Sequence, residues 1–258
     1  MLKILTEQEA RQTDPPVVLL YGKLGVGKSA LAYTIAEAGW TPLLVNSERR
    51  SMKRRVVDRL LSCGAEFATA DTSEDFEQLF YDTKTIEKYD AIIFDSLSAL
   101  VDKTVSKKSD DTRGNYGANL LTILRGLFAQ KESGKVIVLT ALEKWDRGFG
   151  GVGITSKQYS DARGVLKTKV EETDPAPEPY SYMPDFPGKL EFKVGGIGCD
   201  IVARMVIKTR LDGSKYEPTR RLILKPGGRE YVKTCYTSRD IIKPTMHKLL
   251  AGYPNKPK

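Results

Sequence analysis

Uninterrupted apolar runs alternate with amphipathic stretches between Val17 and Leu142. Val17-Val18-Leu19-Leu20-Tyr21, Leu43-Leu44-Val45, Ala91-Ile92-Ile93-Phe94 and Val136-Ile137-Val138-Leu139 contain no charged position. Short runs without polar alternation suit strands that are covered on both faces. Between them, Ser29 to Ala38, Lys53 to Ser62, Ser73 to Thr85 and Leu120 to Gln130 space their apolar residues as helices do. Phe67-Ala68-Thr69-Ala70 adds a further short strand. Strand and helix in alternation predict an α/β fold, with a mostly parallel central sheet flanked by crossover helices.

The texture changes after Trp145. Gly148, Gly150, Gly151 and Gly153 read as a flexible loop, and residues 173–188, rich in proline and aromatics, as irregular extended chain. Ile201 to Thr209 and Arg220 to Leu224 then predict antiparallel strands, joined across Asp212-Gly213 and Pro218. Ser238 to Leu250 predicts a terminal helix interrupted near Pro244. The expected organisation is an arm over 1–16, a core over 17–145 and a glycine- and proline-rich excursion over 146–198. A C-terminal antiparallel extension over 199–252 completes the core, and 253–258 form a disordered tail.

Composition narrows the partners. A chain of 258 residues holds one domain with an appendage, and a net charge of +8 favours an anionic partner. The charge is clustered: Arg49 to Arg59 holds six basic residues against one acidic, and Arg204 to Arg229 eight against two. Cys63, Cys199 and Cys235 are far apart with no C-x-x-C pair, which predicts idle thiols in a reducing compartment and no structural zinc. His247 is the only histidine, so histidine triads and histidine-rich metal sites are excluded. No run approaches the ~20 apolar residues that span a bilayer, and Met1-Leu2-Lys3 does not open a signal peptide, so the expected location is the cytoplasm, without membrane attachment.

The chemistry starts at Gly22-Lys23-Leu24-Gly25-Val26-Gly27-Lys28-Ser29, which fits the phosphate-binding pattern G-x-x-x-x-G-K-[ST]. A strand precedes it and a helix follows. Glycines let backbone N–H groups turn inward around phosphates, and the helix N-terminus adds partial positive charge behind the anion. Lys28 is placed to reach the β- and γ-phosphates and the Ser29 hydroxyl to ligate Mg²⁺. Asp95 follows four apolar residues directly, which suits a carboxylate that holds the Mg²⁺ hydration shell from the next strand over. Glu48, just past the second strand in Asn46-Ser47-Glu48, is the candidate general base; a surface carboxylate paired with Arg49 or Arg50 is the rival. Thr140, at the end of its strand, is a candidate γ-phosphate sensor or a simple strand-end threonine.

These motifs resemble the RecA-like branch of phosphate-loop ATPases. Asp95-Ser96-Leu97-Ser98-Ala99-Leu100 looks like the D-S-x-x-A-L of bacterial recombinases, and Asn46-Ser47-Glu48 is similar to their D-x-E. Within the branch, the chain resembles phage-encoded Sak-type single-strand annealing ATPases. Tyr21-Gly22, Tyr116-Gly117, Leu139-Thr140-Ala141-Leu142-Glu143-Lys144, Pro187-Gly188-Lys189-Leu190 and Asp200 carry that likeness, from about Val17 to Arg210. Leu142 stands where the family has His, and Asn46 where it has Asp; either change implies slower hydrolysis. Lys208-Thr209-Arg210 resembles the K-x-K of recombinases and the K-x-R of hexameric helicases, a pair that reaches the neighbouring subunit's γ-phosphate. A solvated basic strand is the rival reading.

The resemblance implies an ATP- and Mg²⁺-dependent ATPase that acts on single-stranded DNA in phage-type recombination or replication, in the bacterial host cytoplasm. It also implies a homo-oligomer, ring or filament, with ATP between subunits, and a single-strand binding protein as a further partner. DNA contact falls to the loops after the Asp95 and Thr140 strands, with Arg113, Arg147, Lys157 and Arg163 as candidate cations and Phe149, Tyr159, Tyr180, Tyr182 and Phe186 as stacking faces. Two other classes compete: a small-molecule phosphotransferase, and an assembly or regulatory ATPase of KaiC or helicase-loader type with little affinity for DNA.

Overall fold

The computed structural model describes residues 14–47, 54–70, 75, 86–99, 124–126, 130–131, 134–145, 153–160, 166–173, 182–184, 198–212, 215–225, 230–234, 240–251 and 253. Its strands are β1 (Val17–Gly22), β2 (Pro42–Asn46), β3 (Glu66–Thr69), β4 (Ala91–Asp95), β5 (Val136–Trp145), β6 (Gly153–Ser160), β7 (Leu166–Thr173), β8 (Tyr182–Pro184), β9 (Ile201–Asp212), β10 (Lys215–Ile223) and β11 (Ile241–Ile242). The helices are α1 (Lys28–Glu37), α2 (Arg54–Ser62) and α3 (Met246–Leu249). Residues 124–126 and 130–131 of the expected helix over 120–130 are helical, as is residue 75 within the expected helix over 73–85; the rest of both stretches lies outside the described residues.

Among the described residues, the main sheet runs β11-β10-β9-β1-β5-β4-β2-β3, with β8 attached to β5. From β9 to β3 every neighbouring pair is parallel, while β10 and β11 add antiparallel steps. This is the RecA-like phosphate-loop core with a C-terminal antiparallel extension. β1 is the middle of the sheet, and all six of its residues are buried. Alternation along it divides the core in two. Val17, Leu19 and Tyr21 join Ile92, Phe94, Ile137 and Leu139 on one face, whereas Val18 and Leu20 meet α1 and α3 on the other. Each Val or Leu removed from water contributes roughly 1.5–3 kcal/mol, so a strand apolar on both sides is held at the centre.

The entry to β1 is pinned as well. Asp200 Oδ2 accepts the Val17 N–H at 2.8 Å and a Lys131 ammonium donor at 3.1 Å. The late aspartate of the sequence resemblance thus fixes the start of β1, at the end of the strand opposite the phosphate loop.

Four expectations are corrected. The Asp95 strand is not next to β1, because β5 lies between β1 and β4. The excursion over 146–198 holds regular structure: β6 and β7 form an antiparallel ribbon, and β8 pairs with β5. Pro218 lies inside β10, opposite Thr209, rather than in the turn. The terminal helix contracts to Met246–Leu249, capped by Thr245, because Ile241–Ile242 pairs with β10 and Lys243 adopts a positive φ of 49° before Pro244.

Candidate nucleotide site

β1 delivers the chain to the phosphate loop at Gly22, whose φ is +156°. A Cβ there would lie 2.4 Å from the Met205 carbonyl oxygen, so the close approach of β9 requires glycine. The loop ends at Gly27, the left-handed N-cap of α1 (φ 102°), which offers the helix no side-chain cap. The first turn carries no acidic residue. The leading N–H groups of α1 thus meet no capping side chain and no carboxylate from their own turn, which is the arrangement that receives an anion. Lys28 is buried and folds back across the loop, donating to the Gly22 carbonyl at 2.8 Å and the Lys23 carbonyl at 2.9 Å. Its ammonium ties the two ends of the loop together. Ser29 is half-buried on the first turn.

Asp95 stands at the end of β4, on the same side of the sheet as α1. Its Oδ2 accepts the Tyr33 hydroxyl at 2.8 Å, and its Oδ1 accepts the Thr140 hydroxyl at 2.7 Å. Tyr33 lies one helical turn beyond Ser29, so both project from one face of α1. Thr140 bridges the gap that the inserted β5 creates. Its side chain is fully buried, so anything it senses reaches it through Asp95. A carboxylate and a hydroxyl are hard oxygen donors, which suit Mg²⁺ with phosphate oxygens and water as its remaining ligands. When bound, Mg²⁺ neutralises phosphate charge.

β2 borders β4, with Asn46 in register with Asp95 and the Ser47 N–H donating to the Asp95 carbonyl at 3.0 Å. The Ser47 hydroxyl also donates to the Ser96 carbonyl. Glu48 follows directly but lies outside the described residues. Leu142, which replaces the expected His, is half-buried, and its N–H donates to Ser98 Oγ at 3.0 Å.

The other flank of the loop belongs to β9 and β10. β9 pairs with β1 from Ile201 to Arg204 and then continues with β10 alone as a two-stranded arm. Lys208 is exposed on this arm; Arg210 lies on β9, with its side chain outside the described residues. A cavity of 460 Å³ separates Lys23, Leu24 and Val26 of the loop from Met205 to Lys208 of β9. Beside it, Arg204 makes a bidentate pair with Glu143 at 2.8 and 3.2 Å and a longer contact with Glu230 at 3.4 Å. Arg204 also lies 3.5 Å over the Tyr182 ring, and the Tyr21 hydroxyl donates to the Tyr182 carbonyl at 3.2 Å. Burial opposes the Arg204 charge, but the hydrogen-bonded Glu143 carboxylate outweighs it and raises the guanidinium pKa. For the Tyr21 phenol, by contrast, burial itself raises the pKa.

Most of the candidate DNA cations fall outside the described residues. Arg113, Arg147 and Arg163 lie outside the described residues, and Lys157 is placed only as a backbone position on β6, opposite Lys169. In the basic run over 49–59, Arg59 pairs with Glu37 at 2.7 Å and Arg54 with Asp58 at 4.0 Å, so part of that charge is met locally. Tyr182, expected as a stacking face for bases, lies under the Arg204 guanidinium instead, whereas Tyr33, Arg220 and Arg204 were not singled out as site residues from sequence. The i,i+4 spacing of Ser29 and Tyr33 is a signal that points to Tyr33; nothing local marks Arg220 or Arg204.

A model of the ATPase family associated with various cellular activities (AAA) matches residues 18–147. Among solved structures, the flagellar accessory protein FlaH from Methanocaldococcus jannaschii is similar at 12% identity, covering 90% of this chain and 85% of that one, with a TM-score of 0.46. The sequence has no match among curated proteins. Among the described residues no helix is long and apolar enough to cross a membrane.

Proposed function

The chain belongs to the ATPase family associated with various cellular activities, and from that premise we propose that it is a RecA-type motor or clamp on single-stranded DNA. It hydrolyses ATP with Mg²⁺. In the proposed site, Lys28 and the loop amides hold the β- and γ-phosphates, while Ser29 and Asp95 are the protein's ligands toward the metal and its water. Glu48 orients the attacking water and takes its proton. Lys208 and Arg210 extend from the arm toward the neighbour's triphosphate, so that hydrolysis depends on assembly into a ring or filament. The single strand runs over the segment between Glu143 and Lys169, held by its cations and aromatic faces. Annealing assistance of the Sak type, alongside a single-strand binding protein, is the cellular setting that the motif resemblance supports.

One observation carries the nucleotide part of this reading. The carboxylate that ends β4 is hydrogen-bonded to the helix that the phosphate loop opens, through Tyr33 at 2.8 Å. Loop and acid therefore form one constellation rather than two separate motifs. The DNA part rests on the charge of +8 and the motif resemblance.

A fluorescent ATP analogue should bind the purified chain and lose its site in Lys28→Ala; retention by that variant would remove the proposed engine. Single-strand binding should be stronger with ATP than with ADP and fall steeply as salt rises, because each phosphate contact releases counterions. Intact hydrolysis without strand binding would leave an assembly or regulatory ATPase in its place.

A further inference from the structure

The two glycines that bracket the phosphate loop are each pressed from outside by one strand of the β9–β10 arm. Met205 of β9 closes on Gly22, as described above. Arg220 of β10 closes on Gly27, where a Cβ would lie 2.9 Å from the guanidinium Nε. The same Nε donates to the Val26 carbonyl at 3.2 Å. Residues 26 and 220 are 194 positions apart, so this contact is made by the fold and not by local sequence.

The Val26 carbonyl and the Gly27 N–H belong to one peptide group. The only cis bond among the described residues is at Asp95-Ser96, so the Val26-Gly27 peptide is trans. In a trans peptide, C=O and N–H point in opposite directions. A carbonyl turned out toward Arg220 therefore turns the Gly27 N–H away from it, toward the concave side of the loop. A permanent cation on the carbonyl draws charge through the amide and makes that N–H a stronger donor. Arginine suits the role because it stays ionised at every working pH.

We infer that Arg220 is a positioning residue that acts through the Val26-Gly27 peptide, strengthening the Gly27 amide toward a bound phosphate and tying the arm to the filled loop. The inference rests on the phosphate-loop reading above and deepens it. Binding a triphosphate pulls on the Gly27 N–H, and through the same peptide it strengthens the Arg220 contact. Occupancy of the loop is thereby passed to the arm that carries Lys208 and Arg210, from a residue two strand positions away from Pro218.

Three variants separate charge from shape: Arg220→Gln keeps a donor without the cation, Arg220→Lys keeps the cation, and Arg220→Ala keeps neither. Affinity for ATP and for inorganic triphosphate is measured with each, together with hydrogen exchange of the arm amides over 205–212 and 215–220. Gln and Ala should weaken both ligands by about threefold to tenfold, the range of a solvent-exposed charge-assisted bond, while Lys stays within about twofold of wild type. The loss should shrink at high salt. ATP should slow exchange in the arm of the wild type and the Lys variant but not of the Gln variant. If the wild type binds ATP and Arg220→Gln binds it equally well with the same arm protection, the inference is overturned while the site reading survives. Equal losses in Gln and Lys, accompanied by a lower melting temperature, would also overturn it in favour of plain packing. A wild type that does not bind triphosphate removes both.

Discussion

Tyr33→Phe and Thr140→Val test whether Asp95 is held in place by its neighbours or only by metal. Each variant removes one hydroxyl from a carboxylate that accepts two, at 2.8 and 2.7 Å, and each keeps most of the side-chain volume. Tyr33 is 7% exposed and Thr140 0%, so water does not readily replace either hydroxyl. Hydrogen bonds to charged groups are worth about 1.5–3 kcal/mol, and about 1.4 kcal/mol is a factor of ten. Groups that orient a metal ligand from behind typically change metal affinity 10–100-fold. Either single variant should therefore raise the Mg²⁺ concentration for half-maximal hydrolysis roughly tenfold. Both hydroxyls restrain one carboxylate, so the double variant should lose more than the product of the singles. The assay is a Mg²⁺ titration at fixed ATP, reading both hydrolysis and analogue binding, with metal-free binding as the control. Metal-free binding should be unchanged, because each hydroxyl is donated to Asp95, while Lys28 closes the loop on the Gly22 and Lys23 carbonyls. A half-saturation within about twofold of wild type in both variants would refute the reasoning, given the 10–100-fold expectation. So would an equal fall in metal-free binding, which would mean that α1 itself had been disturbed.

Three further outcomes follow from the packing. Glu143→Ala leaves the buried Arg204 guanidinium without its bidentate partner and should cost about 3–5 kcal/mol in urea unfolding, against less for the Glu143→Leu, Arg204→Met pair; a loss under about 1 kcal/mol would place the pair at a solvated surface instead. Gly22→Ala brings a Cβ within 2.4 Å of the Met205 carbonyl and should weaken ATP binding at least as much as it lowers stability, checked by isothermal titration beside thermal unfolding. Burial pushes the Cys199 thiol up to about 12, so at pH 8 almost no thiolate is present and site-resolved mass spectrometry should find it unmodified by iodoacetamide until the chain unfolds, while half-buried Cys63 reacts in the native state.

Much of the core was legible in the sequence because its signals are local. β1, Ala91–Phe94 of β4 and Val136–Leu139 of β5 are uninterrupted apolar runs, and strand segments covered on both faces must read that way. The loop was legible for the same reason: the residues from Gly22 to Ser29 are contiguous, and the strand and helix around them are too. What was not legible depends on pairing between distant segments. Nothing in Val136–Leu139 says that it inserts between β1 and β4, so Asp95 was expected one strand closer than it is. The β6–β7 ribbon was read as loop because its glycine-rich lead-in dominates, while its own residues, such as Thr155-Ser156-Lys157-Gln158, are too polar to signal a strand. The shortened terminal helix has a similar cause. Ile241 and Ile242 fit a helix by spacing, but β-branched residues next to an open strand edge pair with it instead. Arg220 was one basic residue among eight in its stretch until the fold set it against Val26.

The placement of β5 does more than widen the sheet. Side chains on a strand alternate between faces, and Thr140 and Glu143 are three residues apart, so they project to opposite sides. On the α1 side, Thr140 holds Asp95; on the other, Glu143 holds Arg204 at the point where β9 leaves the sheet. Arg204 is in register with Tyr21, the residue before the loop begins, and lies four positions before Lys208. One strand end thus touches the Asp95 carboxylate, the entry to the phosphate loop and the root of the arm. Shifting β5 by a single residue would turn Thr140 and Glu143 each to the wrong face at once, so its register is set from both sides by polar partners as well as by the apolar run beneath them. A site assembled around such a strand has little freedom to move one part alone. Movement of the Asp95 carboxylate is opposed through Thr140 by the same backbone that anchors Arg204, and this shared anchor gives nucleotide state a physical route to the arm.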